Sequence, residues 1–174
     1  MNRHQRAPQC KGFTLLELVT TLAIAAIALA AVLPSAGAFV REHRVAAAAE
    51  RLASALTLAR TTATARRSYV TVAPLGKGWP EGWRVFVEKG QPDCVLDAAD
   101  TLILHEDRVA SDLTTTTRGT LPLTFTPLGH VQTAGGPANS ERIDFRIESA
   151  TRVVEIGTRG QVRVCNPAGK SSAC

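Results

Sequence analysis

The longest apolar stretch of the chain lies near its N-terminus and contains a single charged residue. It runs for 21 residues from Phe13 to Leu33, and Glu17 is the charged one. A helix of that length spans about 30 Å, close to the thickness of the hydrocarbon core of a bilayer. The pattern therefore predicts a membrane-length helix. A carboxylate inside such a helix is costly without a partner, which makes Glu17 a functional candidate.

A second pattern follows Pro34, where apolar residues return at steps of three and four. This spacing places them on one stripe of a helix that ends near Arg67. The stripe consists of Val45, Ala48, Ala49, Leu52, Leu56, Ala59 and Ala63. Because proline bends or breaks helices, we predict one long helix from about Phe13 to Arg67 that is bent at Pro34. Its second half should pack on a globular head.

The rest of the chain alternates between short β-rich runs and turn residues. Gly, Pro and Asp separate these runs, which is typical of antiparallel strands. The predicted strands are 68–73, 83–88, 102–104, 121–125, 143–147, 152–156 and 162–165. A helix followed by such strands predicts the α+β class, with a long N-terminal helix packed on a small antiparallel β-sheet head.

Positive charge is concentrated in front of the apolar stretch. The chain has 20 basic and 15 acidic side chains, and three of the basic ones, Arg3, Arg6 and Lys11, lie within residues 1–12, which contain no acid. The remainder has 17 basic against 15 acidic side chains, so the overall charge says little about nucleic acid. Because basic flanks stay in the cytoplasm, we expect a cytoplasmic N-terminus and a head across the membrane.

The cysteines divide between the two sides of the expected membrane. Cys10 lies in the basic segment, whereas Cys94, Cys165 and Cys174 would lie where disulfides persist. A small closed loop between Cys165 and Cys174 is plausible, because they are nine positions apart around turn residues. Cys94 is left unassigned, and no cysteine pair has the spacing of a zinc site.

The residues around Gly12 resemble a known processing signal. Lys11-Gly12 followed by Phe-Thr-Leu-Leu-Glu-Leu is similar to the class III signal of type IV pilins and pseudopilins. The resemblance implies that a prepilin peptidase cuts between Gly12 and Phe13 and methylates the new terminus. Glu17 then becomes the fifth mature residue, and Pro34 takes the place of the proline that commonly kinks pilin helices.

Two other interpretations of the N-terminus compete with this one. An ordinary secretory signal peptide would share the basic start, and Ala36-Gly37-Ala38 resembles its cleavage site. Its apolar part would be unusually long, however, and Glu17 would be out of place in it. A plain membrane anchor leaves Glu17 unexplained. The pilin-type interpretation accounts for both features.

Motifs in the head narrow the resemblance to the GspH/FimT branch of the pilin superfamily. They are 58–60 (Leu-Ala-Arg), 78–86 (Gly-Trp-Pro-Glu-Gly-Trp-Arg-Val-Phe), 125–129 (Phe-Thr-Pro-Leu-Gly) and 160–165 (Gly-Gln-Val-Arg-Val-Cys). Together with the N-terminal signal they cover most of the chain. We expect Trp79 and Trp83 to pack in the core rather than to form a binding site.

The resemblance implies the domain organisation and the role of the chain. It consists of a prepilin leader (1–12), a transmembrane and filament-core helix (13–34), an amphipathic helix (35–67) and a β-rich head (68–174). The chain is expected in the bacterial inner membrane with a periplasmic head, and then in a filament. Its partners would be the prepilin peptidase, other pilins or pseudopilins and the inner-membrane assembly platform. We expect no enzymatic activity, cofactor or metal.

Glu17 has a physical task in such a filament. Pilin helices bundle into an apolar interior, where the α-amino group on Phe13 of one subunit would be a buried cation. Glu17 of a neighbour can neutralise it, and a buried pair is tolerated where a lone charge is not. The pair would also set the axial register between subunits.

The C-terminal tail is the candidate binding surface. Residues 156–174 contain Arg159, Arg163 and Lys170 and no acid. Such charges could bind DNA phosphates, and FimT-like minor pilins bind DNA through a late Gly-Arg-x-Arg motif. This chain has Gln161 after Gly160, so a solvated basic edge is an equal alternative. The expected function is therefore filament initiation or tip assembly in type II secretion or a type IV pilus, with double-stranded DNA uptake as the alternative.

Overall fold

The computed structural model describes residues 13–119, 121–133, 136–138 and 140–169, with the side chains of 29–36 and 137 outside the description. The chain divides into two units between Phe39 and Val40. Helix α1 extends from Leu15 to Arg66, within two residues of both predicted ends. In the first unit, the described side chains of 13–28 are all exposed. Across the described helical residues, no stretch is both long and apolar enough to cross a membrane.

In the second unit α1 buries the predicted apolar stripe. Every residue of that stripe, from Val45 to Ala63, is at most 2% exposed, which confirms the helical phase read from the sequence. The helix ends at a left-handed residue, Arg67, with φ of 52°. The amide of Ser68 donates to the carbonyl of Ala63 at 3.2 Å, the bond that closes a Schellman motif.

Ten strands follow the helix in chain order. They are β1 (Val70–Pro74), β2 (Trp83–Val87), β3 (Thr101–Glu106), β4 (Thr114–Arg118), β5 (Leu123–Phe125), β6 (Val131–Thr133), β7 (Gly136–Pro137), β8 (Glu141–Ile147), β9 (Ala150–Ile156) and β10 (Val162–Cys165). A short 3-10 turn, Trp79–Glu81, lies between β1 and β2. All seven predicted strands are present, six with shifted ends and 162–165 with the predicted ends, and β4, β6 and β7 were not predicted.

The strands form two antiparallel sheets. The larger sheet has the order β3-β2-β1-β5-β6-β7, and the smaller one has the order β10-β9-β8-β4. α1 and both sheets contribute to one hydrophobic core. Trp79 and Trp83 are fully buried in it with ring centroids 6.3 Å apart, so the prediction that they pack in the core is confirmed. The architecture is the expected α+β fold, with two sheets in the head.

Ion pairs tie the head segment of α1 to loops and strands of both sheets. The Arg44 guanidinium donates to both carboxylate oxygens of Asp112, at 2.8 and 2.6 Å. This contact holds the pKa of Asp112 below its ordinary value. Three further pairs join α1 to the head: Arg41 with Glu148, Glu42 with Arg152 and Arg51 with Glu106.

Candidate functional site

The residues expected to follow the processing site form the start of α1. Gly12 lies outside the described residues, and Phe13 is 84% exposed. Thr14 caps the helix, because its hydroxyl oxygen accepts a hydrogen bond from the amide of Glu17 at 3.2 Å. Thr14 and Glu17 have the Thr-x-x-Glu spacing of a capping box, a local signal in the sequence that our predictions did not use.

The cap involves the backbone of Glu17 and leaves its carboxylate exposed. Within the described part of the chain, no cation contacts Glu17. An acid in the first turn also suits the positive end of the helix dipole. Glu17 therefore has a local structural role and retains a carboxylate for another partner. The kink at Pro34 stays a prediction, since the side chain of that residue lies outside the description.

The candidate DNA-binding residues Arg159 and Arg163 lie on one β-hairpin. β9 and β10 are joined by a turn in which the Gly157 amide donates to the Gln161 carbonyl at 2.9 Å. Arg159 is exposed in this turn, and Lys170 lies outside the described residues. The turn is fixed to its surroundings, because the amide of Val131 donates to the carbonyl of Thr158 at 3.2 Å.

Gly160 explains how this turn is held in place. Its φ is +74°, and a Cβ there would collide with the carbonyl oxygen of Gly129 and lie 3.1 Å from Nε of Arg60. Arg60, Gly129 and Gly160 each come from one of the head motifs noted in the sequence. The structure thus brings three separate motifs to one point, directly beside Arg159. The pattern within each single motif did not indicate that these three residues lie close together.

Arg163 has an acidic neighbour that the tail sequence did not indicate. Val162 and Val164 line a groove with α1, so Arg163 between them on β10 faces away from α1, and its cross-strand partner on β9 is Glu155. Arg142 of β8 also reaches Glu155, at 3.5 Å, and Asp144, at 2.8 Å. Arg163 itself is exposed, with no ion pair among the described residues. The hairpin therefore presents two free guanidiniums, one of them opposite a carboxylate.

The cysteines differ in state. Cys165, at the end of β10, is disulfide-bonded, and Cys94 is a free thiol. Since the only other cysteines are Cys10 and Cys174, the partner of Cys165 lies outside the described residues. The pairing of Cys165 with Cys174 stays a prediction.

A buried polar cluster surrounds Glu88, the residue directly after β2. Glu88 is only 5% exposed and accepts hydrogen bonds from the Thr71 hydroxyl at 2.6 Å and the Cys94 amide at 3.2 Å. The Thr124 hydroxyl bonds Thr71 at 2.7 Å. Burial raises the pKa of Glu88 above its ordinary value, and the nearby charges of the loop acids Asp93 and Asp100 add to the rise.

The described residues do not form a metal site. Within the described ranges, no three His, Cys, Asp or Glu side chains lie close enough together to hold a metal ion. The features that could act are the N-terminal turn, the β9–β10 hairpin and two grooves beside α1, one lined by Thr57 and Val162 and the other by Leu58 and Leu104.

Family models match both the N-terminal segment and the head of the chain. The model of the family described as type II transport protein GspH matches residues 48–173, more than half of the chain. The prokaryotic N-terminal methylation motif matches residues 8–33, which include Gly12, Phe13 and Glu17. None of the curated proteins compared with the chain matches it significantly.

Solved structures share the fold. The type IV minor pilin FimU of Pseudomonas aeruginosa superposes with a TM-score of 0.61 at 20% identity, over 78% of this chain and 98% of that chain. A second crystal form of FimU gives 0.56, at 20% identity over 74% and 98%. The minor pseudopilin EpsH of the Vibrio cholerae type 2 secretion system gives 0.51 at 12% identity, over 72% and 99%. The fold is that of pilins, and the chain belongs to the GspH family of the type IV pilin superfamily.

Proposed function

We propose that the chain is a minor pseudopilin that acts in the initiation or tip of a type II secretion filament and so supports protein secretion. One observation carries the proposal: the family model of a type II transport protein covers the head of a chain whose N-terminus matches the methylation motif. Pilin-type subunits assemble with one another, so other pilins or pseudopilins are the main partners. The assembly platform of the inner membrane is a further proposed partner.

The proposed path begins with processing. A prepilin peptidase cuts after Gly12 and methylates Phe13, while residues 13–34 hold the subunit in the inner membrane with a periplasmic head. In the filament, the exposed carboxylate of Glu17 neutralises the amino terminus of a neighbouring subunit. The exposure of Phe13, which precedes α1, and of Glu17 in the first turn of α1 supports this arrangement.

Two measurements test the proposal. Intact-mass analysis of the chain from a host with prepilin peptidase should give a protein that begins at Phe13 and carries one extra methyl group. A start after Ala36 or Ala38 would instead indicate a cleaved secretory peptide. Deletion of the gene should reduce secreted protein in the medium and leave surface pili in place. Loss of pili with normal secretion would assign the subunit to a type IV pilus.

DNA uptake is the second candidate function, and a specific observation favours it. Arg159 and Arg163 are exposed on one hairpin, and neither has an ion pair among the described residues. Free guanidiniums on a fixed turn suit phosphate contacts. Glu155 opposite Arg163 opposes them by lowering the local positive potential. A salt-dependent binding assay distinguishes this function from a solvated basic edge.

A further inference from the structure

A groove runs between α1 and the end of the larger sheet. It has a volume of about 360 Å³, and Trp83 and Leu104 line it from the sheet side. Leu58, which is 40% exposed, lines it from α1. Most of its accessible wall is therefore apolar. An exposed leucine beside an apolar groove offers a surface on which an apolar side chain of a partner can be buried.

The sheet side of the groove is an edge. β3 pairs with β2 on one side, and among the described residues no strand pairs with its other side. Leu102 of β3 is 48% exposed, the strand contains no lysine or proline, and its pairing with β2 shifts register between Leu102 and Leu104. Free backbone groups along an edge strand bind an extended chain segment. The edge therefore favours an extended occupant over a helical one.

The charges at the rim of the groove indicate which charge the occupant should carry. Arg51 and Glu106 line the groove and face each other at 3.5 Å, so they largely neutralise one another. Glu50 is exposed at the rim, and no described residue forms an ion pair with it. The rim thus carries one uncompensated negative charge, which a lysine or arginine on the occupant would complement.

The tryptophans beneath the groove carry unsatisfied donors. The indole Nε1 groups of Trp79 and Trp83 are buried, and neither has an acceptor among the described residues. A buried N–H without an acceptor costs free energy that a hydrogen bond would recover. Because both Nε1 atoms are closed off from the surface, an occupant of the groove cannot supply that bond, and Trp83 contributes only an apolar floor.

We propose that this groove binds an extended segment of a different pilin-type subunit, one that carries an apolar side chain beside a lysine or arginine. The apolar side chain enters between Leu58 and Leu104 above Trp83, and the basic residue meets Glu50. The inference rests on the proposed role as a minor filament subunit, which makes its neighbours subunits of different sequence. α1 supplies one wall of the groove, so the contact would be continuous with the helix packing of the filament.

Photo-crosslinking in cells tests the proposal with the full-length chain. A photoreactive phenylalanine analogue replaces Leu58, and the control places it at Leu128, which is 79% exposed in the turn after β5. The Leu58 position should cross-link to another pilin-type subunit, identified by mass spectrometry, and the Leu128 position should not. A cross-link to a second copy of this chain, to a protein of another type, or equally at both positions would overturn the proposal.

Variants of the chain that carries the photoreactive analogue in place of Leu58 test the proposed charge contact. Glu50→Lys should lower the yield at least about tenfold through like-charge repulsion, and the control Glu148→Lys should not. An unchanged yield in Glu50→Lys would contradict the role assigned to Glu50.

Different results would contradict the proposed function and this inference. If sheared filaments contain the chain but Leu58 gives no cross-link, the groove is not the contact and the filament role stands. If the chain never appears in filaments, the filament role fails first.

Discussion

Gly160, in the turn between β9 and β10, packs directly against the side chain of Arg60 on α1. The contact joins residues 100 positions apart in the chain. It also fixes the turn that carries Arg159. Because φ at Gly160 is +74° and the carbonyl of Gly129 lies on the other side, any larger residue meets both backbone strain and a collision.

Gly160→Ala should therefore destabilise the head beyond the cost of the backbone conformation alone. Gly90→Ala is the matched control, since Gly90 has φ of +114° but no atom within 4 Å of the position that the alanine methyl group would take. The collision should add about 1–3 kcal/mol to the loss for Gly160→Ala relative to the control. Denaturant unfolding of both variants measures the difference. Equal losses would show that the turn adjusts and that Arg60 does not hold it.

Much of the fold was predictable because its signals are local. The three- and four-residue spacing from Val45 to Ala63 sets the buried face of α1, and alternation marks most of the strands. β4 could not be predicted this way. Thr114–Arg118 is entirely polar, and its place in the smaller sheet comes from pairing with β8. The residue pattern of a single strand does not show which distant strand it pairs with.

The candidate site residues also differ in whether a local signal in the sequence indicates them. Glu17 is visible as a lone charge in an apolar run, and its cap by Thr14 follows a spacing of three residues. The buried contact of Glu88 was not predictable in this way, because its partner Thr71 lies 17 positions away and only the folded sheet joins them. Arg163 was seen as part of an acid-free tail, whereas the neighbouring strand places Glu155 opposite it.

Glu17→Ala should leave membrane insertion intact and reduce recovery in filaments. The substitution removes an ionised group from an apolar segment and also removes the proposed partner of a neighbour's amino terminus. Thr14→Val is the control, because it removes the helix cap, at a cost of about 1 kcal/mol, but keeps the carboxylate. The chain is measured in membranes and in sheared filaments. Normal recovery of Glu17→Ala would show that the carboxylate does not set the register.

Cys165 should pair with Cys174. Closing so short a loop should stabilise the head by about 2–3 kcal/mol in the chain-entropy model. Non-reducing peptide mapping identifies the pair, and Cys174→Ser should lower stability by that amount only without reductant. Cys94→Ser is the control, since its thiol is free. A peptide that links Cys94 to Cys165 or to Cys174 would contradict this pairing.

Glu88 should make the stability of the head depend on pH. A carboxyl whose pKa is raised in the folded state contributes stability that is present below its unfolded pKa and is lost as pH rises through the folded pKa. Glu88→Gln removes the ionisation, so its stability relative to the original chain should rise between acidic and neutral pH.

Unfolding in denaturant at several pH values measures this difference. Asp107→Asn is the control, because that carboxylate is 92% exposed. Parallel pH curves for Glu88→Gln and the original chain would show that burial of Glu88 does not control its protonation.

If the DNA-uptake function is correct, the head from about residue 36 onward should bind double-stranded DNA weakly and without sequence preference. Two or three phosphate contacts place the expected affinity in the micromolar to submillimolar range, about 10⁻⁶–10⁻⁴ M at physiological salt. The logarithm of the binding constant should fall by about 0.9 per contact for each log unit of salt. Gel shifts at two salt concentrations measure both quantities.

Arg159→Ala combined with Arg163→Ala should remove most of this binding and leave the head folded, because both side chains are exposed and free of ion pairs among the described residues. Lys77→Ala combined with Arg108→Ala removes the same charge from exposed positions outside the hairpin and should retain most of the binding. Circular dichroism checks the fold of each variant. Equal losses in the two pairs would indicate binding through net charge alone. No binding at low salt would favour a purely structural subunit, since the hairpin would then be a solvated basic edge whose positive potential Glu155 reduces.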